Sequence, residues 1–401
     1  AGWLLLCLGR QVWLLILGRV VTGLCTGAVL GAVPTFVAEI SPPSVRGLFG
    51  MTFNLGGTVG ILLMNILSLW VPWEYLGYGA IVPSVLLSGA MFFIPESPNW
   101  LMVKYGRCLR VVEALHQLRH RESDIDDELA ELEAQVTALK AQKDSGFSAK
   151  MLRRQDVYKP LTIGLLLCFF QQFSGTNAVQ FYMTGIFADA GSSLRPEYAV
   201  IVVNTSMFVA TLIGSTLVDR LGRKILLMAS GTGHTVSLAV LGYYYYKNRD
   251  LAHPDSSPLP IICMAVFFVA YSIGYSSVTW IVITEICNSS YVGFITSTCS
   301  VFVWITAFVV TKEFEDLIRL VHKYGAYWFF AGLCLLSTLF IFYLPETKGQ
   351  SIEEIQRKLC PKVYRDRLTT APAGDRKDPS GDRSAFKYER ELSKYDEISN
   401  I

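Results

Sequence analysis

Charge is scarce in this sequence. Only 17% of its 401 residues are Asp, Glu, Lys or Arg, whereas a soluble domain carries roughly 25%. The charge that exists gathers in Lys104–Lys159 and Val363–Ile401, which leaves long stretches almost free of it. That distribution argues against a soluble globule and for an all-α, polytopic membrane protein. A net charge of +2 offers no basic field for nucleic acid. The nine cysteines sit singly, mostly inside apolar runs, in no disulfide or zinc spacing, so they read as small packing residues. His116 and His120 stand four apart without an intervening Glu or a third ligand, which suits a solvated face better than a metal. No cofactor or metal is implied. No nucleophile–base pair points to an enzyme. The start carries no initiator Met and no signal-peptide pattern.

What the sequence has is apolar runs. A bilayer span needs roughly 20 residues. Nine runs approach that length: Val12–Ala38, Leu48–Val71, Tyr75–Ile94, Leu161–Ala190, Tyr198–Val218, Ile225–Tyr246, Leu259–Thr284, Phe294–Val310 and Gly325–Leu344. The stub Ala1–Leu8 is too short to span alone. Lys104–Lys159 holds eleven Lys and Arg, and Asp219–Lys224 holds three. Basic loops stay in the cytosol, which puts the tail there too. Tyr243–Tyr246 then fall at the outer membrane edge, where aromatic rings sit at the lipid headgroups. Val111–Leu118 and Leu129–Leu139 have the spacing of short amphipathic helices. Val363–Ile401 is charged, poor in apolar residues, and reads as a disordered tail. The glycosylation triplets at Asn204 and Asn288 fall inside a span and in the cytosol, so neither is expected to be modified.

The chain repeats itself. EISPPSVRG (39–47) aligns without a gap on EICNSSYVG (285–293), and FFIPESP (92–98) on FYLPETK (342–348). Glu285 follows Glu39 by 246 residues and Glu346 follows Glu96 by 250. Two motifs at nearly one offset mark an internal duplication. Parallel repeats about an axis along the membrane normal are a transporter architecture. If the halves are equal, about ninety residues, two spans and most of a third, belong ahead of Ala1. The expected layout is an N-terminal bundle (1–94), a cytosolic linker with short helices (95–157), a C-terminal bundle of six spans (158–345) and a cytosolic tail (346–401).

The motifs GRVVTG (18–23), VPTFVAEISPPSVRG (33–47), PESP (95–98), QQFSGTNAVQFY (171–182), DRLGRK (219–224), Trp280 with Glu285, and PETKG (345–349) come in an order that resembles the sugar porters of the major facilitator superfamily. The details are most similar to the arthropod facilitated trehalose transporters. The resemblance implies the major facilitator fold, two pseudo-symmetric six-helix bundles, and facilitative alternating-access transport of trehalose or a hexose. The other reading is a sugar-binding, sensor-like or incomplete relative that does not transport. The implied partners are a small-molecule sugar and the lipid bilayer, at the plasma membrane.

The polar residues inside the apolar runs carry the chemistry. Amides in a spanning helix need partners. Gln172 and Asn177 lie roughly 140° apart on an ideal helix, so they converge only if it unwinds, and Ser174-Gly175 is where it can. The resemblance implies that Gln171, Gln172 and Asn177 hydrogen-bond sugar hydroxyls, and each amide is both donor and acceptor. The same amides also suit bonding between helices. By the same resemblance Trp280, Trp304 and Asn54 line the sugar cavity, and Phe181 and Tyr182 close its outer mouth. Arg19, inside a run, calls for a polar partner.

Cytosolic ion pairs among Glu39, Arg46, Glu96, Asp219, Arg220, Arg223, Glu285 and Glu346 would form the inner gate. Their arginines also satisfy the positive-inside rule. Three departures stand out. Val292 replaces the arginine that Arg46 supplies in the first repeat, which predicts a clamp weakened at Glu285 unless Arg220 or Arg223 serves it. Asn99 replaces another arginine. Before Trp280 the family reads G-x-G-P-x-P-W, but here GYSSVTW (274–280) has no proline. The expectation is a straighter helix and a stiffer gate, since proline bends helices and serine does so weakly.

Overall fold

The computed structural model describes residues 1–41, 46–119, 125–143, 153–249, 257–287, 291–350 and 352–359. Among them the chain is helical. α1 (Gly2–Leu8), α2 (Val12–Ile40), α3 (Arg46–Leu67) and α4 (Trp73–Ala90) come first. Short helices α5 (Pro98–Tyr105), α6 (Leu109–Leu118) and α7 (Asp126–Lys143) follow. Then come α8 (Gln155–Phe173), α9 (Thr176–Asp189), α10 (Pro196–Leu221), α11 (Arg223–Lys247), α12 (Leu259–Ile273), α13 (Val278–Ile286), α14 (Val292–Phe342) and α15 (Ile352–Leu359). Residues 363–401, expected to form a disordered tail, lie outside the described residues, as do His120, Asn288 and the side chains of Arg46 and Asp219.

Among the described residues six helices are long and apolar enough to cross a membrane, against nine expected runs. Breaks and mergers account for part of the difference. Leu161–Ala190 is broken into α8 and α9. Leu259–Thr284 is broken into α12 and α13, which together still qualify. The last two runs join in α14, interrupted at His322, whose φ of 61° and ψ of 168° are not helical. α3 covers 22 residues, and its continuously described stretch, Asn54–Leu67, is apolar. α1 does not span. It packs on α2 and α4, with Leu6 buried against Gly18.

The core lies in the second half. One cluster joins Met183, Phe187, Phe267, Phe268, Phe314 and Phe330, on α9, α12 and α14. A second, nearer the basic loops, joins Leu167, Val218, Tyr275, Ile283, Cys299 and Ile341. α10 runs between the halves, packing on α12 and on α3. A small third cluster (Leu101, Met102, Val111, Leu115, Leu129, Val136) holds α5, α6 and α7 together. On α6, Val111, Ala114 and Leu115 keep the i, i+3, i+4 spacing of an amphipathic face. Arg119 ties this module to the end of α2, donating to the Ile40 carbonyl at 2.8 Å while gripping Glu128 at 2.6 and 3.0 Å.

The tyrosine run needs a correction. Tyr243 is exposed, as an interfacial ring should be, but Tyr244 is buried and Tyr245 largely so. Their hydroxyls donate to the carbonyls of Ala190 (2.7 Å) and Ile186 (2.8 Å). The last carbonyls of a helix have no partner within it; Tyr244 supplies one for Ala190, and Tyr245 is a second donor to Ile186, which already accepts the Ala190 N–H at 3.0 Å.

Candidate functional site

The site is built on two broken helices. Between α8 and α9, Gly175 adopts φ +83°. A Cβ there would meet the Phe330 ring at 3.2–3.3 Å. Glycine satisfies both the left-handed backbone and the close approach. The turn is stitched by Ser174, whose hydroxyl meets the Gln171 carbonyl and the Thr176 hydroxyl, each at 2.7 Å. The break does what a straight helix cannot: Asn177 Nδ2 donates to Gln172 Oε1 at 2.6 Å. Three residues on, Gln180 Nε2 donates to Asn204 Oδ1 on α10 at 3.2 Å.

The second break separates α12 from α13 across Gly274–Ser277, and it overturns the expected straight helix. Gly274 leaves helical geometry, at φ −119° and ψ −80°. It sits close against α11: a Cβ would lie 2.6 Å from the Leu226 carbonyl oxygen and collide with Ser230. No proline is needed, because side chains take up the freed backbone groups. The Tyr275 N–H reaches Ser230 Oγ at 3.4 Å, and the Tyr275 carbonyl accepts from Gln171 Nε2 at 2.6 Å. The Ser276 N–H turns back to Tyr271 at 2.9 Å. Tyr275 itself is buried, its hydroxyl bonded to Ser337.

The three amides expected to bind sugar thus meet around the two breaks. Gln171 and Gln172 are buried, and Gln171 Oε1 has no hydrogen-bond partner among the described residues. Asn54, from α3 in the first half, reaches Ser277 Oγ at 3.2 Å. Trp280 packs partly buried against the second cluster, whereas Trp304 is 52% exposed. Of the expected outer pair, Tyr182 lies against Phe314 (ring centroids 5.2 Å), while Phe181 is 74% exposed.

Sequence reasoning passed over Ser230, His234 and Tyr275, and met Ser277 only as a replacement for proline. His234 is fully buried beside the second break, its Nδ1 2.7 Å from the Ser230 carbonyl and its ring against Phe267 and Tyr275. A lone histidine within an apolar run was the signal that pointed there.

At the cytosolic end Arg223 takes the place that Val292 leaves open. It meets Glu285 Oε1 through Nε at 3.1 Å and Nη2 at 3.0 Å. Glu346 is not mainly an ion-pair partner. It caps α11, accepting from the Arg223 and Lys224 N–H groups at 2.9 and 3.1 Å, where a helix N-terminus favours negative charge. Gly222, at φ +93°, leaves room for that carboxylate. Glu39 accepts from Ser97, at the N-terminus of α5. Arg220 and Glu96 are exposed, and the Arg220 carbonyl accepts from Lys348. Arg19 is exposed as well. At the start of α8, Arg154 pairs with buried Asp156 at 2.8 Å, and that hydrogen bond raises the guanidinium's pKa above its ordinary value.

Residues 1–359 match the family described as Sugar (and other) transporter. The facilitated trehalose transporter Tret1 of Drosophila willistoni is 38% identical over 373 residues, which cover 90% of this chain and 42% of that protein. Tret1 of Polypedilum vanderplanki is 35% identical over 367 residues, 91% of this chain and 72% of the relative. The chain therefore spans less than half the length of the Drosophila relatives. Among solved structures, the proton:xylose symporter XylE bound to 6-bromo-6-deoxy-D-glucose superposes with a TM-score of 0.69 at 20% identity, covering 89% of this chain and 82% of that one. The shared fold is that of the major facilitator superfamily. With its apolar helices and its family match, the chain is a multi-pass membrane protein, and it belongs to the sugar transporter family.

Proposed function

We propose that the protein is a facilitative carrier that passes trehalose or a hexose across the plasma membrane by alternating access, with its C-terminus in the cytosol. The observation that carries this reading is the convergence of Gln171, Gln172 and Asn177 at two helix breaks. Broken helices near the midplane supply polar groups where a ligand can use them. Amides that both donate and accept suit sugar hydroxyls. The relatives named as trehalose transporters favour a disaccharide, and the symporter's bromoglucose favours a hexose-sized ring.

In this reading Gln171, Gln172, Asn177, Asn54 and Trp280 hold the sugar, and Trp304 packs against it from the side. Phe181 and Tyr182 form the outer gate. Arg223, Glu285, Glu346, Glu39, Arg46, Glu96, Asp219 and Arg220 form the cytosolic one. Residues 1–94 and 158–345 are the two rocking bundles, joined by the linker at 95–157 and followed by the tail at 346–401.

The experiment is uptake of labelled trehalose and glucose into vesicles carrying the full-length gene product. Saturable uptake that persists after the proton gradient is collapsed is the expected result. Sugar binding without uptake would overturn the carrier reading in favour of a sensor.

A further inference from the structure

The second helix break is tied down on two sides, and the two ties differ in kind. Gln171 and Tyr275 both belong to the second half, so their bond moves with it as one body. Asn54 belongs to the first half. Its bond to Ser277 joins α3 to the stretch between α12 and α13, 223 residues away in sequence. Any rocking of one half against the other preserves the first bond and must break or stretch the second.

Ser277 is placed for this. It occupies the N-cap position of α13, where a serine ordinarily turns its oxygen back onto its own helix. Here the side chain makes no capping bond. Its oxygen accepts from Asn54 instead, and an accepting hydroxyl keeps its own O–H to donate. Local helix capping has been given up for a contact between halves. Asn54 and a serine that stands where the family has proline thus meet at 3.2 Å.

We propose that the Asn54–Ser277 hydrogen bond is a state-dependent latch between the two halves, and that Ser277 is a positioning residue for the sugar site, acting through the broken segment that Gln171 grips. The bond holds the break in its present shape while the halves are in this arrangement. When they rock apart, the amide and the hydroxyl are both released beside the Gln171 amide. The sugar part of this inference rests on the carrier reading; the latch itself does not.

The test is hydrogen exchange of the segment 271–287 in lipid nanodiscs, with sugar KM measured in parallel, for Asn54→Ala, Ser277→Ala, the double variant and Ser277→Thr. Each alanine variant is expected to speed exchange of the segment and to shift KM by roughly three- to ten-fold, the factor that one hydrogen bond is worth. In exchange, the double variant should do no more than either single one, and Ser277→Thr should restore both readouts. Unchanged exchange in Asn54→Ala, or single effects that multiply in the double variant, would overturn the latch. Altered exchange with unaltered KM would overturn the positioning role. If the parent protein takes up no sugar, the carrier reading and the positioning role both fail, and exchange alone still decides the latch.

Discussion

Arg223 holds Glu285 through a single carboxylate oxygen, Oε1, with Nε at 3.1 Å and Nη2 at 3.0 Å. The other oxygen, Oε2, is buried and has no partner among the described residues. Both side chains are mostly buried, at 15% and 26% exposure, so the pair is less screened than a surface bridge. The second repeat has therefore kept a cation on its glutamate by drawing it from the start of α11. Arg223→Ala should cost about 1–3 kcal/mol, because it strands a half-buried carboxylate. Arg223→Lys should recover only part, since a point charge lacks the guanidinium fork. Thermal unfolding of the two variants beside Glu285→Gln in a mutant cycle measures this, and additive losses would deny the coupling.

Val292→Arg addresses the unmet oxygen. The first repeat has Arg46 at the equivalent position. A second guanidinium near Glu285 should favour the state in which the cytosolic ends are closed and slow inward opening. Labelling of a cytosolic-facing site reports the conformational populations. No change in them would mean that the clamp at Glu285 does not set the equilibrium.

Gln171 is expected to be the most sensitive of the three amides. Its nitrogen satisfies the Tyr275 carbonyl inside the protein, which leaves its oxygen for a ligand. Gln171→Leu removes both, whereas Gln171→Glu keeps acceptors and loses the donor. Both should lower stability by about 1–3 kcal/mol, the cost of an unmet buried carbonyl. If only the leucine variant is destabilised, the bond to Tyr275 is not what holds the break.

How much of this was legible in the sequence depends on whether the cause was local. The break at Ser174-Gly175 was readable, because two amides roughly 140° apart on one helix had no other way to meet. The break at Gly274–Ser277 was not. Absent prolines argued for a straight helix, and what supports the break comes from far away in sequence: Ser230 for the Tyr275 N–H and Gln171 for its carbonyl. Arg223 was readable only as one of two stand-ins for the lost arginine. The inward turn of Tyr244 and Tyr245 was hidden because four identical residues carry no periodicity, and only the end of α9 selects which two are used.

Two glycines should be intolerant of alanine for different reasons. Gly175→Ala puts a Cβ on a left-handed backbone, worth about 1–2 kcal/mol, and against the Phe330 ring. Gly274→Ala forces α12 off α11 and should cost about 1–3 kcal/mol by overpacking. Gly332→Ala, with nothing within 4 Å of a built Cβ, is the control and should be neutral or slightly stabilising. Equal melting temperatures in all three would remove the packing argument for the second break.

The tyrosine run offers the sharpest separation of roles among neighbours. Tyr244 and Tyr245 each satisfy a carbonyl at the end of α9, Ala190 and Ile186. Tyr244→Phe leaves the Ala190 carbonyl unmet in an apolar setting, at about 1–3 kcal/mol, whereas Tyr245→Phe should cost about 0.5–1.5 kcal/mol, because the Ile186 carbonyl keeps the Ala190 N–H at 3.0 Å. Tyr243 is exposed, at 59%, and Tyr246 partly so, at 40%, its ring against Tyr324 and Trp328. Tyr243→Phe and Tyr246→Phe keep the ring and lose a hydroxyl that water or headgroups already serve, so they should be nearly silent. The four single phenylalanine variants, melted in the same lipid, should therefore split into two pairs. Because α9 carries Asn177 toward Gln172, the costly pair should also weaken sugar uptake, and the silent pair should not. A uniform small effect across all four would return the run to a purely interfacial role.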